Sequence, residues 1–204
     1  MRTEYELSNI FKIRKITDLF TVEPVVVTVN KFNEEAAKKF TEDFNKAHQT
    51  GQEVIPVVID SYGGQVYSLL SMLDTIRSSR LPVATIAMGK AMSCGSALLA
   101  FGEPGMRYVS PNCTVLVHDV SNWAIGKVEE VKSSAEETER LNQFLFTEMA
   151  KHCGQPKKYF LDLIHEKGHA DLYMTAKDTK THRIADHIKI PIFSVKAEVK
   201  MVLR

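Results

Sequence analysis

The segment Leu81-Pro-Val-Ala-Thr-Ile-Ala-Met88, followed at once by Gly89-Lys-Ala-Met-Ser-Cys-Gly95, decides the fold class of this chain. Its first half is a continuous apolar run rich in β-branched residues, which is typical of a strand covered on both faces. Its second half combines glycines with small side chains, as tight turns between a strand and a helix do. The segment therefore predicts a buried strand that ends in a turn and leads into a helix.

Three further apolar runs of the same kind predict three more strands: Pro24-Val-Val-Val-Thr-Val29, Val54-Ile-Pro-Val-Val-Ile59 and Thr114-Val-Leu-Val117. The first three of the four runs begin about 30 residues apart, which is the length of a strand–helix–strand unit. Strands that alternate with helices in this way indicate an α/β fold with a largely parallel sheet and right-handed crossovers.

Five helices are predicted from capping residues and apolar stripes. The first follows the cap Asn33, with a stripe at Phe32, Ala36, Phe40, Phe44 and Ala47. The second has its inward face at Val66, Leu69, Leu70, Leu73 and Ile76. A short third helix should run from Ser93 to Ala100, and the longest from Lys127 to Cys153, with a charged, solvated first half and a stop at Gly154. A fifth helix should begin at Gln155-Pro-Lys.

Length and composition narrow the class of protein. The 204 residues predict one domain, 1–204, with an N-terminal segment 1–22 and a C-terminal part 189–204 that forms edge strands or a tail. The net charge of +1 argues against a nucleic-acid partner, and no apolar run is long enough to span a membrane. The charged start and three cysteines without paired spacing predict a reduced, cytoplasmic protein.

Chemistry in a parallel sheet is expected at the carboxyl ends of the strands. Ser93 lies there on a strand-to-helix turn, although Ala91 replaces the first glycine of a G-x-S-x-G turn and a serine at this place is also an ordinary helix cap. His118 should emerge at the same edge, directly after its strand. The pair Gly63-Gly64 predicts either a simple tight turn or a place where backbone N–H groups meet an oxyanion.

Taken together, these junctions resemble the proteolytic subunit of the Clp protease (the ClpP family) from Val57 to Ile188. The family's motifs stand here in the same order: Ser61-Tyr-Gly-Gly64, Gly89-Lys-Ala-Met-Ser-Cys-Gly-Ser-Ala-Leu-Leu99, Arg107-Tyr-Val-Ser-Pro-Asn112 before His118, Asp171-Leu-Tyr-Met-Thr-Ala176, and Ile184-Ala-Asp186. Agreement of order and spacing together is far more specific than any single motif.

The resemblance implies the ClpP/crotonase-type spiral of strand–helix–strand units and a serine endopeptidase without a cofactor or metal. Ser93 would be the nucleophile, His118 the general base and then acid, and Asp171 the carboxylate that orients His118. The backbone N–H groups of Gly64 and Cys94 would form the oxyanion hole. Without the family, Asp119, Asp162, Asp178 and Asp186 are equally plausible carboxylates.

The resemblance also implies partners. The family forms homo-oligomers of heptameric rings, often two stacked, that degrade unfolded proteins or peptides delivered by an unfoldase ATPase. The chain departs from the family after the histidine, where His118-Asp-Val-Ser-Asn-Trp123 replaces His-Gln-Pro and a glycine-rich strand. It also has Ala170 where the family often has an arginine that forms an ion pair between rings. Its predicted first helix carries more charged residues than the usual, more apolar helix of the family.

Other functions remain open at this point. His165-Glu-Lys-Gly-His169 matches the H-E-x-x-H pattern of zinc peptidases, in which two histidines share one helix face, although Gly168 weakens that helix. Crotonase-type acyl-CoA enzymes share the fold and use backbone oxyanion holes. A viral head-maturation peptidase and an inactive ring subunit are further members of the same structural group.

Overall fold

A computed structural model describes residues 24–193 of the chain. Seven strands and six helices follow one another in these residues. The strands are β1 (Val27–Val29), β2 (Ile55–Ser61), β3 (Val83–Met92), β4 (Arg107–Val109), β5 (Thr114–Val117), β6 (Leu172–Met174) and β7 (His187–Ile188). The helices are α1 (Glu34–Ala47), α2 (Val66–Ser78), α3 (Cys94–Ala100), α4 (Val128–His152), α5 (Tyr159–Glu166) and α6 (Ala176–Thr181).

The sheet confirms the predicted α/β fold with largely parallel strands. Its main path runs in the order β1-β2-β3-β4-β7, and every pair along it is parallel. Strand β3 has two neighbours on one side, because Thr85–Ala87 pairs with β4 and Lys90–Met92 pairs with β5. Strand β6 is antiparallel to β5 and extends the sheet beyond it. The predicted end of β3 at Met88 is therefore wrong, since the strand continues to Met92.

Helix α1 begins where its capping residue predicts. The Asn33 side chain accepts a hydrogen bond from the Ala36 N–H, and Glu34 and Glu35 lie in the first turn. The apolar stripe needs correction at its start: Phe32 precedes the helix and bridges to Gly64, and Ala37 is buried where Ala36 was expected. In α2, Met72 is fully buried beside the predicted Leu69 and Leu73.

Helix α4 is the long predicted helix and ends as expected before Gly154, which has a φ of 60°. Its buried residues all lie in its second half, starting at Leu141. The first half, with Glu129 and Glu136 among its charges, is largely exposed. The prediction of a charged, solvated half is confirmed.

Several short elements differ from the sequence-based prediction. Helix α5 begins at Tyr159 and not at Gln155, because Pro156 lies in a turn that precedes the helix. Strands β4 and β6 were not predicted. Of the expected C-terminal strands, only β7 is seen; residues 1–22 and Val195–Leu203 lie outside the described residues.

One hydrophobic core joins the sheet to the helices on both of its faces. Phe40 and Phe44 of α1 stack in it, and Leu98 and Leu99 of α3 are fully buried at its centre. Among residues 24–193, no helix combines the length and apolarity that crossing a bilayer requires. Because α3 packs against β2, β3 and β5, the turn that leads into it is held at the carboxyl edge of the sheet.

Candidate active site

Ser93 lies between the end of β3 and the first residue of α3. Its φ of 55° and ψ of −119° fall in a region that residues with a side chain rarely adopt. Ser93 occupies the helix-cap position, but its side chain makes no capping hydrogen bond. Its N–H donates to the Leu116 carbonyl of β5 at 2.9 Å. The hydroxyl is thus held on a strained turn without the structural task that a cap would give it.

Gly63 makes room for the strained turn. A Cβ on Gly63 would lie 2.7 Å from the Ser93 Cβ and 3.0 Å from the Met92 carbonyl oxygen. Ala91 is buried within β3, and the close approach to the serine comes from the neighbouring strand end.

His118 directly follows β5 and is three-quarters buried. It lines the same cavity of about 50 Å³ as Ser93, Gly64 and Cys94. The remaining wall is mostly apolar, with Leu145 and Met149 of α4 among its members. The structure therefore brings the predicted serine, histidine and two backbone donors to one cavity at the carboxyl edge of the sheet.

Asp171 reaches His118 through the antiparallel pairing of β5 and β6. The ladder ends with Val117 opposite Leu172, so His118 and Asp171 take the next facing positions. The His118 Nδ1 and Asp171 Oδ1 atoms are 3.9 Å apart, which is too long for a hydrogen bond. The Asp171 side chain is half exposed.

Three of the other candidate aspartates have partners elsewhere. Asp119 binds His169, Asp178 caps α6 through Thr175, and Asp186 forms an ion pair with Arg107. Asp162 lies exposed on α5. Among the five aspartates considered, Asp171 is the one that forms an ion-pair contact with His118.

Gly64 and Cys94 lie side by side, since the Cys94 thiol donates to the Gly64 carbonyl at 3.3 Å. Cys94 is the first residue of α3, and the N–H of a first helical residue has no carbonyl partner within its helix. Gly64 has a φ of 150°, and a Cβ there would approach the Phe32 carbonyl oxygen closely. Burial raises the pKa of the Cys94 thiol to about 11, so the thiol stays protonated and is a poor nucleophile.

The H-E-x-x-H segment does not form the helix that its spacing requires. Helix α5 ends at Glu166, and both Gly168 and His169 have a positive φ. His165 and His169 therefore do not share a helix face. Among residues 24–193, no group of three or more His, Cys, Asp or Glu side chains is arranged to hold a metal ion.

His169 takes part in a polar cluster that the sequence analysis missed. Its Nδ1 lies 2.7 Å from Asp119 Oδ2, and the Asn142 Nδ2 of α4 donates to Asp119 Oδ1 at 2.8 Å. Burial acts to raise the pKa of Asp119, but the hydrogen bonds from His169 and Asn142 outweigh it and the pKa is lowered. No local pattern signals this cluster, because its three members come from distant parts of the chain.

Comparison with known proteins covers most of the chain. The family model described as Clp protease matches residues 9–190. ATP-dependent Clp protease proteolytic subunit 3 of Nocardia farcinica (strain IFM 10152) is 35% identical over 136 residues, which cover 66% of this chain. The chain spans about 60% of the length of that curated relative. These findings confirm the resemblance drawn from the motifs: the chain belongs to the Clp protease family.

Proposed function

We propose that this chain is a serine endopeptidase that cleaves peptide bonds through a covalent acyl-enzyme. One observation carries the proposal: Ser93 is held in a strained, uncapped conformation in the same cavity as His118. Structural serines at helix starts accept a hydrogen bond from the helix, whereas this one leaves its hydroxyl available for chemistry. Membership of a protease family supports the same assignment.

The proposed reaction uses each residue in turn. His118 removes the proton of the Ser93 hydroxyl while the oxygen attacks the substrate carbonyl carbon, and the resulting oxyanion accepts hydrogen bonds from the N–H groups of Gly64 and Cys94. His118 then gives the proton to the departing amine. Water, activated by His118, releases the acyl group and restores the serine.

Asp171 has an orienting role in this mechanism. A carboxylate opposite Nδ1 keeps Nε2 free to face the serine and stabilises the imidazolium that forms. The separation of 3.9 Å means that the pair must tighten by about 1 Å to reach hydrogen-bond distance. Such loosely formed contacts are common in catalytic sites without substrate.

We further propose that the chain works as a homo-oligomer of heptameric rings, single or stacked, with an unfoldase ATPase and unfolded proteins or peptides as substrates. Large apolar side chains on the segment from the end of β5 to the first turn of α4 support assembly, because Trp123, Ile125 and Val128 are each at least 70% exposed. Exposed apolar side chains grouped on one segment favour contact with another protein surface.

The experiment is covalent labelling of the full chain with a fluorophosphonate, followed by intact-mass and peptide mass analysis. We expect one adduct, on Ser93, and none on folded Ser93→Ala. Ser121→Ala is the matched control, because Ser121 lines the same cavity yet has no role in the mechanism, and it should label like the unaltered chain. A folded, assembled chain that is not labelled would overturn the proposal.

Activity assays separate the remaining alternatives. Hydrolysis of a fluorogenic peptide that is lost in Ser93→Ala and unaffected by a chelator supports the serine mechanism. Peptide hydrolysis that stops with a chelator and persists in Ser93→Ala would indicate a metallopeptidase. Turnover of an acyl-CoA without peptide cleavage would indicate a crotonase-type reaction. If neither the peptide nor the acyl-CoA is turned over, the chain is an inactive subunit.

A further inference from the structure

Beyond the last backbone pair of the β5–β6 ladder, side-chain contacts connect the two chain segments. Backbone pairing stops at Val117 and Leu172, and the next facing positions hold His118 and Asp171. One position further from the ladder, Asp119 follows His118, and its carboxylate lies 2.7 Å from the Nδ1 of His169. The contact between Asp119 and His169 thus spans the two chain segments just beyond the His118–Asp171 pair.

The β5 side of this contact is fixed to α4. Asn142, which is buried, donates to Asp119 Oδ1 at 2.8 Å and accepts from the Val120 N–H at 3.0 Å. Both the carboxylate and the backbone after it are therefore tied to the packed half of α4. Asp119 has little freedom to turn away from His169.

The β6 side is fixed to α5. The His169 N–H donates to the Ile164 carbonyl at 3.0 Å, and the Gly168 N–H donates to the His165 carbonyl at 2.9 Å. This is the hydrogen-bond pattern of a Schellman motif with Gly168 in the left-handed region. Because Ile164 is buried in the core, the backbone of His169 is anchored two residues before Asp171.

We infer that Asp119 and His169 are positioning residues that hold Asp171 opposite His118. The inference rests on the proposed serine mechanism. Asp171 is half exposed, and apart from its contact with His118 no hydrogen bond or ion pair to its side chain is found in residues 24–193. The Asp119–His169 contact therefore supplies the restraint on its backbone that its own side chain lacks. His165 of α5 is a further titratable group near His169, and the centroids of the two rings are 4.3 Å apart.

Two substitutions at His169 separate the effect of its hydrogen bond to Asp119 from the effect of backbone strain. His169 has a φ of 60°, a conformation that glycine and asparagine tolerate best among the common residues. His169→Asn keeps a donor near the place of Nδ1, whereas His169→Gly removes it. With a fluorogenic peptide, we expect kcat of the glycine variant to fall about 10- to 100-fold with little change in KM. The asparagine variant should recover most of kcat.

Two further variants test the positioning role of the Asp119–His169 contact. Asp119→Ala should reproduce the loss of kcat, and His165→Ala should stay within about twofold of the unaltered chain, because His165 touches His169 without a hydrogen bond. Circular dichroism and light scattering establish that each variant is folded and assembled. If the unaltered chain is labelled on Ser93 but His169→Gly keeps full kcat, the positioning role is wrong. It is also wrong if asparagine gives no recovery, whereas absence of labelling overturns the peptidase proposal itself.

Discussion

Ser93 combines a strained backbone with a hydroxyl that does not cap α3, and the absence of a side chain at Gly63 leaves room for this conformation. A sparsely populated backbone conformation such as that of Ser93 costs about 1–3 kcal/mol, so the surrounding structure must hold Ser93 in place. The bond from its N–H to β5 and the close contact with Gly63 provide this support. Substitution at Gly63 therefore tests whether the position of the serine matters for reactivity.

We expect Gly63→Ala to slow fluorophosphonate labelling of Ser93 by about 100-fold, because the added Cβ would lie 2.7 Å from the Ser93 Cβ and must displace it. Gly51→Ala is the matched control. Gly51 also has a positive φ, but nothing lies within 4 Å of the added carbon. Gly51→Ala should lose about 1–2 kcal/mol of stability. Gly63→Ala should lose more, because its added Cβ also overlaps Ser93, and it alone should lose reactivity. Equal labelling rates would contradict the argument.

The three cysteines should be unreactive in the folded protein. Burial raises the pKa of Cys94 and of Cys113 to about 11 and that of Cys153 to about 12. Iodoacetamide at pH 8 should modify none of them until denaturant is added, as judged by intact mass. Because these folded pKa values lie above those of the unfolded chain, the cysteines' contribution to the free energy of unfolding should be constant below about pH 9 and fall as the pH rises toward 11. Rapid alkylation of native Cys94 would contradict this prediction.

Local sequence predicted the longer elements well, and for a physical reason. Asn33 and Gly154 mark helix ends through their own backbone preferences, and the apolar runs of β1, β2, β3 and β5 are long enough to be recognised. Strands β4 and β6, with three residues each, do not belong to a longer apolar run as β1 does, and they form because a partner is present. Local periodicity cannot reveal such pairing.

The candidate site was accessible from sequence in part. Ser93 and His118 each follow a strand that the sequence predicted, and although β3 ends four residues later than predicted, their meeting at one edge of the sheet was predictable. Asp171 was selected through the family resemblance alone, since its approach to His118 depends on antiparallel pairing of the unpredicted β6. The contact between Asp119 and His169 depends on the same pairing and on the end of α5, and it was not foreseen.

Strand β4 is joined to the segment before β7 by a buried ion pair. Asp186 accepts hydrogen bonds from the Arg107 guanidinium and from two backbone N–H groups, those of Gly105 and Arg107. Arg107 is only 5% exposed, so loss of its partner leaves a charge without compensation. Burial acts to raise the pKa of Asp186, but these donors outweigh it and the pKa is lowered.

We expect Asp186→Ala to reduce the free energy of unfolding by about 3–5 kcal/mol in urea denaturation. Asp74→Ala is the matched control, because Asp74 pairs with Arg77 on the surface of α2, and its effect should be within about 0.5 kcal/mol. Since the folded pKa of Asp186 is depressed, its contribution is present above about pH 4 and is lost as the pH falls further. A loss for Asp186→Ala no larger than that for Asp74→Ala would show that the pair does not stabilise the fold.

The segment from the end of β5 to the first turn of α4 exposes large apolar side chains on the surface of the molecule. Trp123 and Ile125 are 82% and 78% exposed. Burial of such side chains in an assembly would stabilise it by roughly 1.5–3 kcal/mol for each fully buried side chain. This segment also follows directly on His118, so assembly and the proposed site are neighbours along the chain.

We expect light scattering to give a mass that is a multiple of seven chains of 23.0 kDa. Ile125→Asp should shift the protein toward smaller species, because a carboxylate is costly to bury in an apolar contact. Gln49→Asp introduces the same charge on the exposed turn after α1 and should leave the mass unchanged. A monomeric unaltered chain at micromolar concentration would overturn the assembly proposal, and an unchanged mass for Ile125→Asp would exclude this segment from the contact.

The pairing of β3 with β5 has a consequence for how the proposed site could be regulated. Met92 faces Leu116 across the sheet, and the serine's own amide is bonded to the same residue, only two positions before the histidine. The proposed nucleophile and the proposed base are therefore joined through one pair of hydrogen-bonded strands, and we expect them to move together. Any on–off switch would have to move the carboxylate arm or block the entrance to the cavity, rather than pull the first two partners apart.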